Sequence, residues 1–215
     1  MQEGVLIPKP IKHYLDVPGF NNPKHLNALG KTAAEVTSGR VLEIGPAFGC
    51  STWVLMDSLQ PKVKLHSVDT FGMNNMQLKL KHFRGIMEKH GDNSAIGYAM
   101  SIYMNDGHRA VFDHTTSHHP RRWQVLEKVH QKRSLELLEE DTNWDMVYID
   151  GLHSYENVIA ELNYLEKVPL LCGDDYHPAH PGTMKAIDEF VAKRNLKLDH
   201  HDFESGSGFW KIYNA

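Results

Sequence analysis

The feature that most constrains the fold is a strand, a glycine-containing turn, a helix and a second strand in succession over residues 41–69. Residues 41–44 form a short apolar strand, and a Gly-Pro turn then leads into a predicted helix from about residue 51 to 59. Residues 63–68 alternate as a strand does and end at Asp69. A βαβ unit of this kind favours a parallel sheet with right-handed crossovers.

The same alternation of strands and helices returns in the second half of the chain. Helices are predicted from Ser134, over the apolar face between Tyr155 and Leu165, and around residues 184–191. The strands predicted here are 125–130, 145–149 and 170–172, and residues 196–200 with 209–213 are predicted to form an antiparallel hairpin. With 215 residues, the chain is predicted to be a single α/β domain over 1–215, with a Rossmann-like, mostly parallel sheet and helices on both faces.

Two segments extend this core. Residues 1–39 are predicted to be an N-terminal helical segment, because Asn22-Pro23 is a typical helix start and apolar residues then recur at helical spacing. Residues 70–122 separate the second and third strands by far more than a usual connection. Because one apolar helix face runs from Met76 to Met87 and residues 110–122 are polar and irregular, we predict an insert of helical cover and a mobile loop over the site.

Composition excludes several classes of function. No segment approaches the roughly 20 apolar residues of a membrane helix, Met1 to Pro10 does not read as a secretory signal, and we therefore expect a cytoplasmic protein with no membrane partner. The net charge of −4 argues against nucleic-acid binding. Cys50 and Cys172 are expected to be reduced core residues. For the histidines between His108 and His130, a solvated surface is favoured over a metal-binding tract.

The first candidate site is the turn after the first strand. In an open α/β sheet, ligands bind where the carboxyl end of a strand meets the amino end of a helix, and glycines there let the backbone approach a ligand. The glycine spacing lacks the second glycine of the dinucleotide fingerprint, which disfavours an NAD-dependent oxidoreductase. The candidate cofactor-binding residues of this turn are Glu43, Gly45, Ala47, Gly49 and Ser51.

Asp69 ends the next strand, a little over 20 residues after the glycines. A carboxylate at that position can accept hydrogen bonds from both hydroxyls of a ribose. The competing interpretation is an aspartate that caps the following turn, which is common at strand ends.

A cluster of acidic residues follows two later strands. Asp150 and the pair Asp174-Asp175 are expected on the same edge of the sheet, where their charges repel unless a proton or a cation intervenes. A Mg²⁺ ion bound by Asp150, Asp174 and Asp175 would resolve this, although single residues of the pair could serve as turn or cap residues. His153, three residues after Asp150, is a candidate general base, with an orienting role or simple helix-start polarity as alternatives.

These motifs resemble the class I S-adenosylmethionine-dependent methyltransferases, specifically the group of the macrocin and mycinamicin sugar O-methyltransferases and, more distantly, catechol O-methyltransferase. The resemblance covers roughly residues 40–190 without the insert. The motifs that carry it are Val41-Leu42-Glu43-Ile44-Gly45-Pro46-Ala47-Phe48-Gly49, Ser67-Val68-Asp69, Tyr148-Ile149-Asp150-Gly151-Leu152-His153-Ser154-Tyr155 and Gly173-Asp174-Asp175-Tyr176.

The resemblance implies a methyl transfer from S-adenosylmethionine to a small sugar-like or polyol acceptor, assisted by Mg²⁺. It implies that Glu43, Gly45 and Gly49 line the methionine half of the cofactor, that Asp69 holds the ribose and that Ser134 lies at the adenine edge. It also implies metal binding by Asp150, Asp174 and Asp175, catalysis by His153 with Asp150, and association as a homodimer.

Two alternatives remain open at this stage. One is a metal-independent N- or O-methyltransferase whose carboxylates bind a substrate amine. The other is a non-catalytic Rossmann-like protein that keeps a nucleoside pocket and performs no chemistry.

Overall fold

The computed structural model describes residues 11–20, 22–72, 76–91, 94–203 and 207–213. Within these residues, one sheet has the strand order β3-β2-β1-β4-β5-β7-β6, in which β1 to β5 are parallel and β6 and β7 form the antiparallel end. The predicted Rossmann-like α/β sheet with a closing hairpin is confirmed. The strands are β1 (Gly39–Ile44), β2 (Val63–Asp69), β3 (Leu126–Gln131), β4 (Met146–Ile149), β5 (Leu170–Gly173), β6 (Lys197–Phe203) and β7 (Ser207–Tyr213).

The first long helix starts where the sequence predicts. The side chain of Asn22 accepts a hydrogen bond from the backbone N–H of Lys24 at 2.8 Å, and Pro23 occupies the first turn. The described helices are a short 3₁₀ turn (Tyr14–Asp16), α1 (Pro23–Ala33), α2 (Cys50–Ser58), α3 (Met76–His90), α4 (Ser94–Asp106), α5 (His108–Ser117), α6 (Arg122–Val125), α7 (Ser134–Glu140), α8 (Tyr155–Tyr164) and α9 (Pro181–Arg194).

Alternate residues of the central strands feed two apolar layers, one on each face of the sheet. Leu42 and Val147 pack with α7, α8 and α9 on one face, whereas Val41 and Met146 pack with α1, α2 and α5 on the other. Because parallel strands are covered on both faces, their amino-acid sequences are nearly continuous apolar runs. Helices therefore enclose the sheet on both sides, as predicted.

The chain reverses its direction across the sheet at β1, which pairs with β2 on one side and β4 on the other. Ile44 lies in register with Val68 and with Ile149, so the residues that follow these three emerge at one level of the sheet edge. Gly173 of β5 continues the same row from Ile149. Such a switch point leaves a crevice outside the carboxyl ends of the strands, which is where ligands bind in this architecture.

The insert is more helical than predicted. The expectation of a mobile, irregular loop over residues 110–122 is wrong, because α5 and α6 occupy most of it. Val111, Phe112, Thr115 and Thr116 form the buried face of α5. Two of these four residues are threonines, so the apolar periodicity was too weak to reveal a helix in the sequence.

The expectation of a solvated surface is also wrong for two of the five histidines of this stretch. His108 and His119 are buried, and none of the histidines from His108 to His130 is exposed. Nε2 of His119 lies 3.0 Å from Oδ1 of Asp57, so this polar atom has a hydrogen-bond partner. The His119 ring packs edge-on against Trp53.

Two smaller expectations can be checked. Cys50 and Cys172 are free thiols inside the core, as predicted. No helix in the described ranges combines the length and apolar character needed to cross a bilayer. Met1 to Pro10, on which the absence of a secretory signal was predicted, lies outside the described residues.

Candidate active site

A cavity of about 640 Å³, the site cavity, opens at the carboxyl ends of β1, β2 and β4. Leu78, His82 and His108 of the insert line it from the other side. It is lined by six of the residues predicted for the site, namely Gly45, Ala47, Asp69, Ser134, Asp150 and His153. The predicted residues Glu43, Gly49, Ser51, Asp174 and Asp175 do not line it.

The glycines of the first turn are required by the protein's own packing. Gly45 has a φ of +83°, and a Cβ built on it would lie 2.1 Å from the carbonyl oxygen of Asp150. Gly49 has a φ of +94°, and its Cβ would lie 3.0 Å from Oγ1 of Thr115 in the insert. A side chain at Gly45 would push the turns after β1 and β4 apart, and one at Gly49 would displace α5 from the turn.

Glu43 holds this turn together from inside the protein. Its carboxylate accepts hydrogen bonds from the hydroxyls of Ser51, Thr52 and Ser67 at 2.6, 2.7 and 2.8 Å. Burial raises the pKa of Glu43, and the three hydroxyls oppose that shift. Glu43 and Ser51 therefore tie β1, α2 and β2 together behind the turn, so they shape the site cavity without lining it.

Asp69 combines both roles that the sequence left open. Its Oδ1 accepts a hydrogen bond from the backbone N–H of Phe71 at 2.7 Å, which is the turn-capping role. The same side chain lines the site cavity beside Thr70. Sequence reasoning treated the two roles as competitors, but one carboxylate has enough acceptor sites for both.

A buried carboxyl group lies behind Ser134. The Ser134 hydroxyl donates to Oε1 of Glu161 at 2.5 Å, and the side-chain amide of Asn157 donates to the same oxygen at 2.8 Å. Ser134 and Asn157 line the site cavity, whereas Glu161 is fully buried. Desolvation raises the pKa of Glu161 to about 7, although both hydrogen bonds oppose the shift. Sequence reasoning missed Asn157 and Glu161, which appear only as helix residues of α8.

The carboxylates at the ends of β4 and β5 each face a different partner. Oδ2 of Asp150 accepts from the Tyr148 hydroxyl at 3.0 Å, and Oδ1 of Asp174 accepts from the backbone N–H of Asp175 at 2.7 Å. Burial, reinforced by the charges of Asp174 and Asp175, raises the pKa of Asp150 well above its ordinary range. In the part of the chain that the structure describes, no group of three or more His, Cys, Asp or Glu residues is placed to hold a metal ion.

Asp175 instead lies within ion-pair distance of two histidines. Its Oδ2 lies 3.0 Å from Nδ1 of His153 and 3.4 Å from Nδ1 of His180. Asp175 has a φ of +64°, an uncommon conformation for an aspartate, of the kind that tends to occur at functional sites. Burial lowers the pKa of His153, so its ring is neutral at neutral pH. A neutral imidazole anchored at Nδ1 leaves its other nitrogen able to accept a proton.

Residues 42–169, more than half of the chain, match the profile of a family described as a methyltransferase domain. No curated protein sequence matches the chain.

Three solved structures with a similar fold are O-methyltransferases or contain a bound cofactor. The O-methyltransferase TomG from Streptomyces achromogenes, involved in tomaymycin synthesis and solved with SAM, is 16% identical, with a TM-score of 0.54 over 92% of this chain and 82% of its own. The cofactor-bound protein Rv0187 from MTB is 14% identical, with a TM-score of 0.62 over 93% and 84%. The O-methyltransferase from Bacillus cereus in complex with SAH is 13% identical, with a TM-score of 0.52 over 91% and 83%. At these identities the similarity establishes the fold.

Proposed function

This chain belongs to the methyltransferase-domain family, and on that premise we propose that it transfers a methyl group from S-adenosylmethionine to a hydroxyl group of a small-molecule acceptor. The observation that carries the proposal is the His153–Asp175 pair beside the site cavity, 3.0 Å between Nδ1 and Oδ2. It supplies what an O-methyltransferase needs in addition to a cofactor site, a base for the acceptor hydroxyl.

The residues of the site cavity suit the cofactor. Asp69 offers a carboxylate to the ribose hydroxyls, and Ser134 with Asn157 offers polar atoms to the adenine edge. Gly45 and Ala47 lie beside them at the switch point of the sheet, where backbone groups can hold the amino-acid end of the cofactor. When bound, S-adenosylmethionine supplies an electrophilic methyl group on a sulfonium ion.

The proposed proton transfer uses His153. Because Oδ2 of Asp175 lies 3.0 Å from Nδ1, the N–H is assigned to Nδ1, and Nε2 would accept the proton of the acceptor hydroxyl. The methyl–sulfur bond would break as the methyl–oxygen bond forms, with S-adenosylhomocysteine as the leaving group. Asp175 then stabilises the resulting imidazolium. Asp150, which lines the site cavity, is proposed to orient the acceptor by hydrogen bonding, which aligns oxygen and methyl group.

Each of the three carboxylates already has a protein partner in this arrangement. Asp150 faces Tyr148, Asp174 faces a backbone N–H, and Asp175 faces His153 and His180. The Mg²⁺ site predicted from the sequence stays a prediction, and the proposed step is assigned to protein side chains. Methyl transfer that persists in EDTA would support this assignment, and loss of transfer restored by Mg²⁺ would favour the metal-assisted route.

The sugar-like or polyol acceptor is proposed from the resemblance alone. The test is formation of S-adenosylhomocysteine with a panel of sugars, polyols and phenols, for wild type, His153→Asn and the exposed control His201→Asn. We expect His153→Asn to lower kcat by about 100-fold, within the usual contribution of a general base, and His201→Asn to leave it unchanged. Transfer only to amines would favour the N-methyltransferase, and cofactor binding without transfer to any acceptor would favour the non-catalytic protein.

A further inference from the structure

A fully buried histidine lies below the site cavity, on a helix that precedes the family-matched region. His25 belongs to α1, 123 residues before Tyr148 in the chain, and none of its surface is exposed. Its ring packs edge-on against Phe209 with 5.3 Å between centroids. Burying an imidazole in this apolar layer costs free energy that an apolar side chain would not, so it is held for its polar contacts.

The ring is linked to one carboxylate at the end of the sheet through Tyr148 and lies close to another. Nε2 of His25 lies 2.9 Å from the Tyr148 hydroxyl, which donates to Oδ2 of Asp150 at 3.0 Å. On the other side of the ring, Nδ1 lies 3.2 Å from Oδ1 of Asp174, which is an ion-pair distance without hydrogen-bond alignment. His25 thus reaches Asp150 through a single hydroxyl, whereas its Nδ1 makes no hydrogen bond to Asp174.

The hydrogen bonds have a consistent direction. Because the Tyr148 hydroxyl donates to Asp150, its oxygen accepts from the N–H at Nε2 of His25. Bonds that run in series polarise one another and fix the rotamers of every member, more strongly in a buried site than in water. The chain ends at Asp150, the member that lines the site cavity.

Asp174 is held by other groups than His25. Asp174 is followed directly by Asp175, whose backbone N–H donates to the Asp174 carboxylate at 2.7 Å. The carbonyl oxygen of Asp174 accepts from the indole N–H of Trp210 at 3.0 Å. Asp175 and Trp210 therefore position Asp174, and Asp175 lies 3.0 Å from Nδ1 of His153 through its Oδ2.

We propose that His25 and Tyr148 are positioning residues for methyl transfer, which fix Asp150 at the edge of the site cavity. This inference rests on the proposed function, because it assigns the network to the same reaction. Helix α1 contributes no residue to the lining of the site cavity. Under this proposal it is nevertheless part of the active site, because His25 is connected to Asp150 by hydrogen bonds.

The test compares turnover, cofactor affinity and thermal stability in four variants. Tyr148→Phe removes one oxygen and keeps the ring, His25→Leu removes the donor, His25→Gln keeps an N–H within reach, and Tyr164→Phe is a control outside the network. We expect Tyr148→Phe and His25→Leu each to lower kcat by about 10-fold, the loss for about 1.4 kcal/mol of transition-state alignment. The affinity for S-adenosylhomocysteine should change by less than about two-fold, since Asp69 and Ser134 are untouched.

Two further results separate positioning from simple stabilisation. The double variant Tyr148→Phe with His25→Leu should be no slower than either single variant, because both break the same chain. His25→Gln should recover most of the lost kcat. Unchanged kcat in a folded Tyr148→Phe protein, additive losses, or no recovery in His25→Gln would overturn the inference. If wild type binds no S-adenosylhomocysteine or transfers no methyl group, the proposed function fails with it, and that outcome is visible before any variant is made.

Discussion

Nδ1 of His153 lies 3.0 Å from Oδ2 of Asp175, although helix α8 and strand β5 separate the two residues in the chain. The contact forms because β4 and β5 are parallel neighbours, with Ile149 in register with Gly173, so the residues after both strands emerge side by side. Parallel pairing thus turns two distant sequence motifs into one histidine–carboxylate pair. It is the element of the site with the clearest chemical consequence.

This pair predicts how methyl transfer depends on pH. Burial lowers the pKa of His153, so the base is already neutral at neutral pH, while burial followed by the charge of Asp174 raises the pKa of Asp175 to about 6. The rate should therefore be flat above neutral pH and fall as the pH drops below about 6, where Asp175 takes up a proton. A kcat/KM profile from pH 5 to 9 measures this, and a rate that stays constant down to pH 5 would contradict it.

Glu161 predicts a pH-dependent stability. Desolvation raises its pKa in the folded protein to about 7, above its ordinary value of 4.5. The folded state therefore binds the proton more tightly, and this contribution to stability is present below pH 4.5 and is lost as the pH rises to about 7. The size of this pKa shift corresponds to a loss of about 3 kcal/mol in the free energy of unfolding over the whole pH range.

Glu161→Gln removes that dependence. We expect the variant to have a higher Tm than wild type at pH 8 and an equal Tm near pH 4.5, as measured by thermal unfolding across the pH range. Glu156→Gln, an exposed position on the same helix, is the matched control and should follow wild type throughout. A Glu161→Gln protein that is destabilised at pH 8 would show that the ionised carboxylate is needed for folding.

Substitution of His108 is predicted to weaken ligand binding without lowering the stability of the fold. It lines the site cavity and is buried against Phe48 and Phe71, yet its Nε2 has no hydrogen-bond partner among the described residues. A buried polar atom without a partner costs about 1 to 3 kcal/mol, so His108→Phe should leave Tm unchanged or raise it. If a ligand satisfies Nε2, the same variant should bind S-adenosylhomocysteine about 5-fold more weakly, the value of one neutral hydrogen bond.

His114→Phe is the matched control for this experiment. His114 also has a buried Nε2 without a partner and lies on the same helix, but it does not line the site cavity. Its substitution should leave the affinity for S-adenosylhomocysteine unchanged, as measured by isothermal titration. Equal losses in both variants would mean that α5 is merely distorted, and no loss in His108→Phe would remove His108 from the site.

The sequence predicted the central βαβ unit because its apolar periods and turn glycines are local signals. The turn after β1, Asp69 and the acidic residues after β4 and β5 could be assigned to one edge of the sheet for the same reason. The helices at the end of the insert could not be predicted from the sequence. Thr115 and Thr116 are buried in α5, and their hydroxyls donate hydrogen bonds to the carbonyl oxygen of Phe112. A prediction based on residue polarity places threonines on the surface, so it misses this buried helix face.

The residues that support the site from behind could not be predicted from the sequence for a different reason. His25 sits beside Leu26 at the start of an amphipathic helix, and its partner Tyr148 is 123 residues away. Likewise, Glu43 and Ser51 belong to the predicted cofactor motif but bond to each other inside the protein. A motif shows which residues are needed together, whereas only packing shows which of them face the ligand.

The most direct test of the account is a titration of the protein with S-adenosylhomocysteine, for wild type, Asp69→Ala and Asp69→Asn. The asparagine keeps an acceptor for the backbone N–H of Phe71, and so separates ribose binding from the turn cap. We expect saturable micromolar binding to wild type, and losses of at least about 10-fold in both variants, as for a hydrogen-bonded charge. No saturable binding to wild type would contradict the assignment of the site cavity to S-adenosylmethionine.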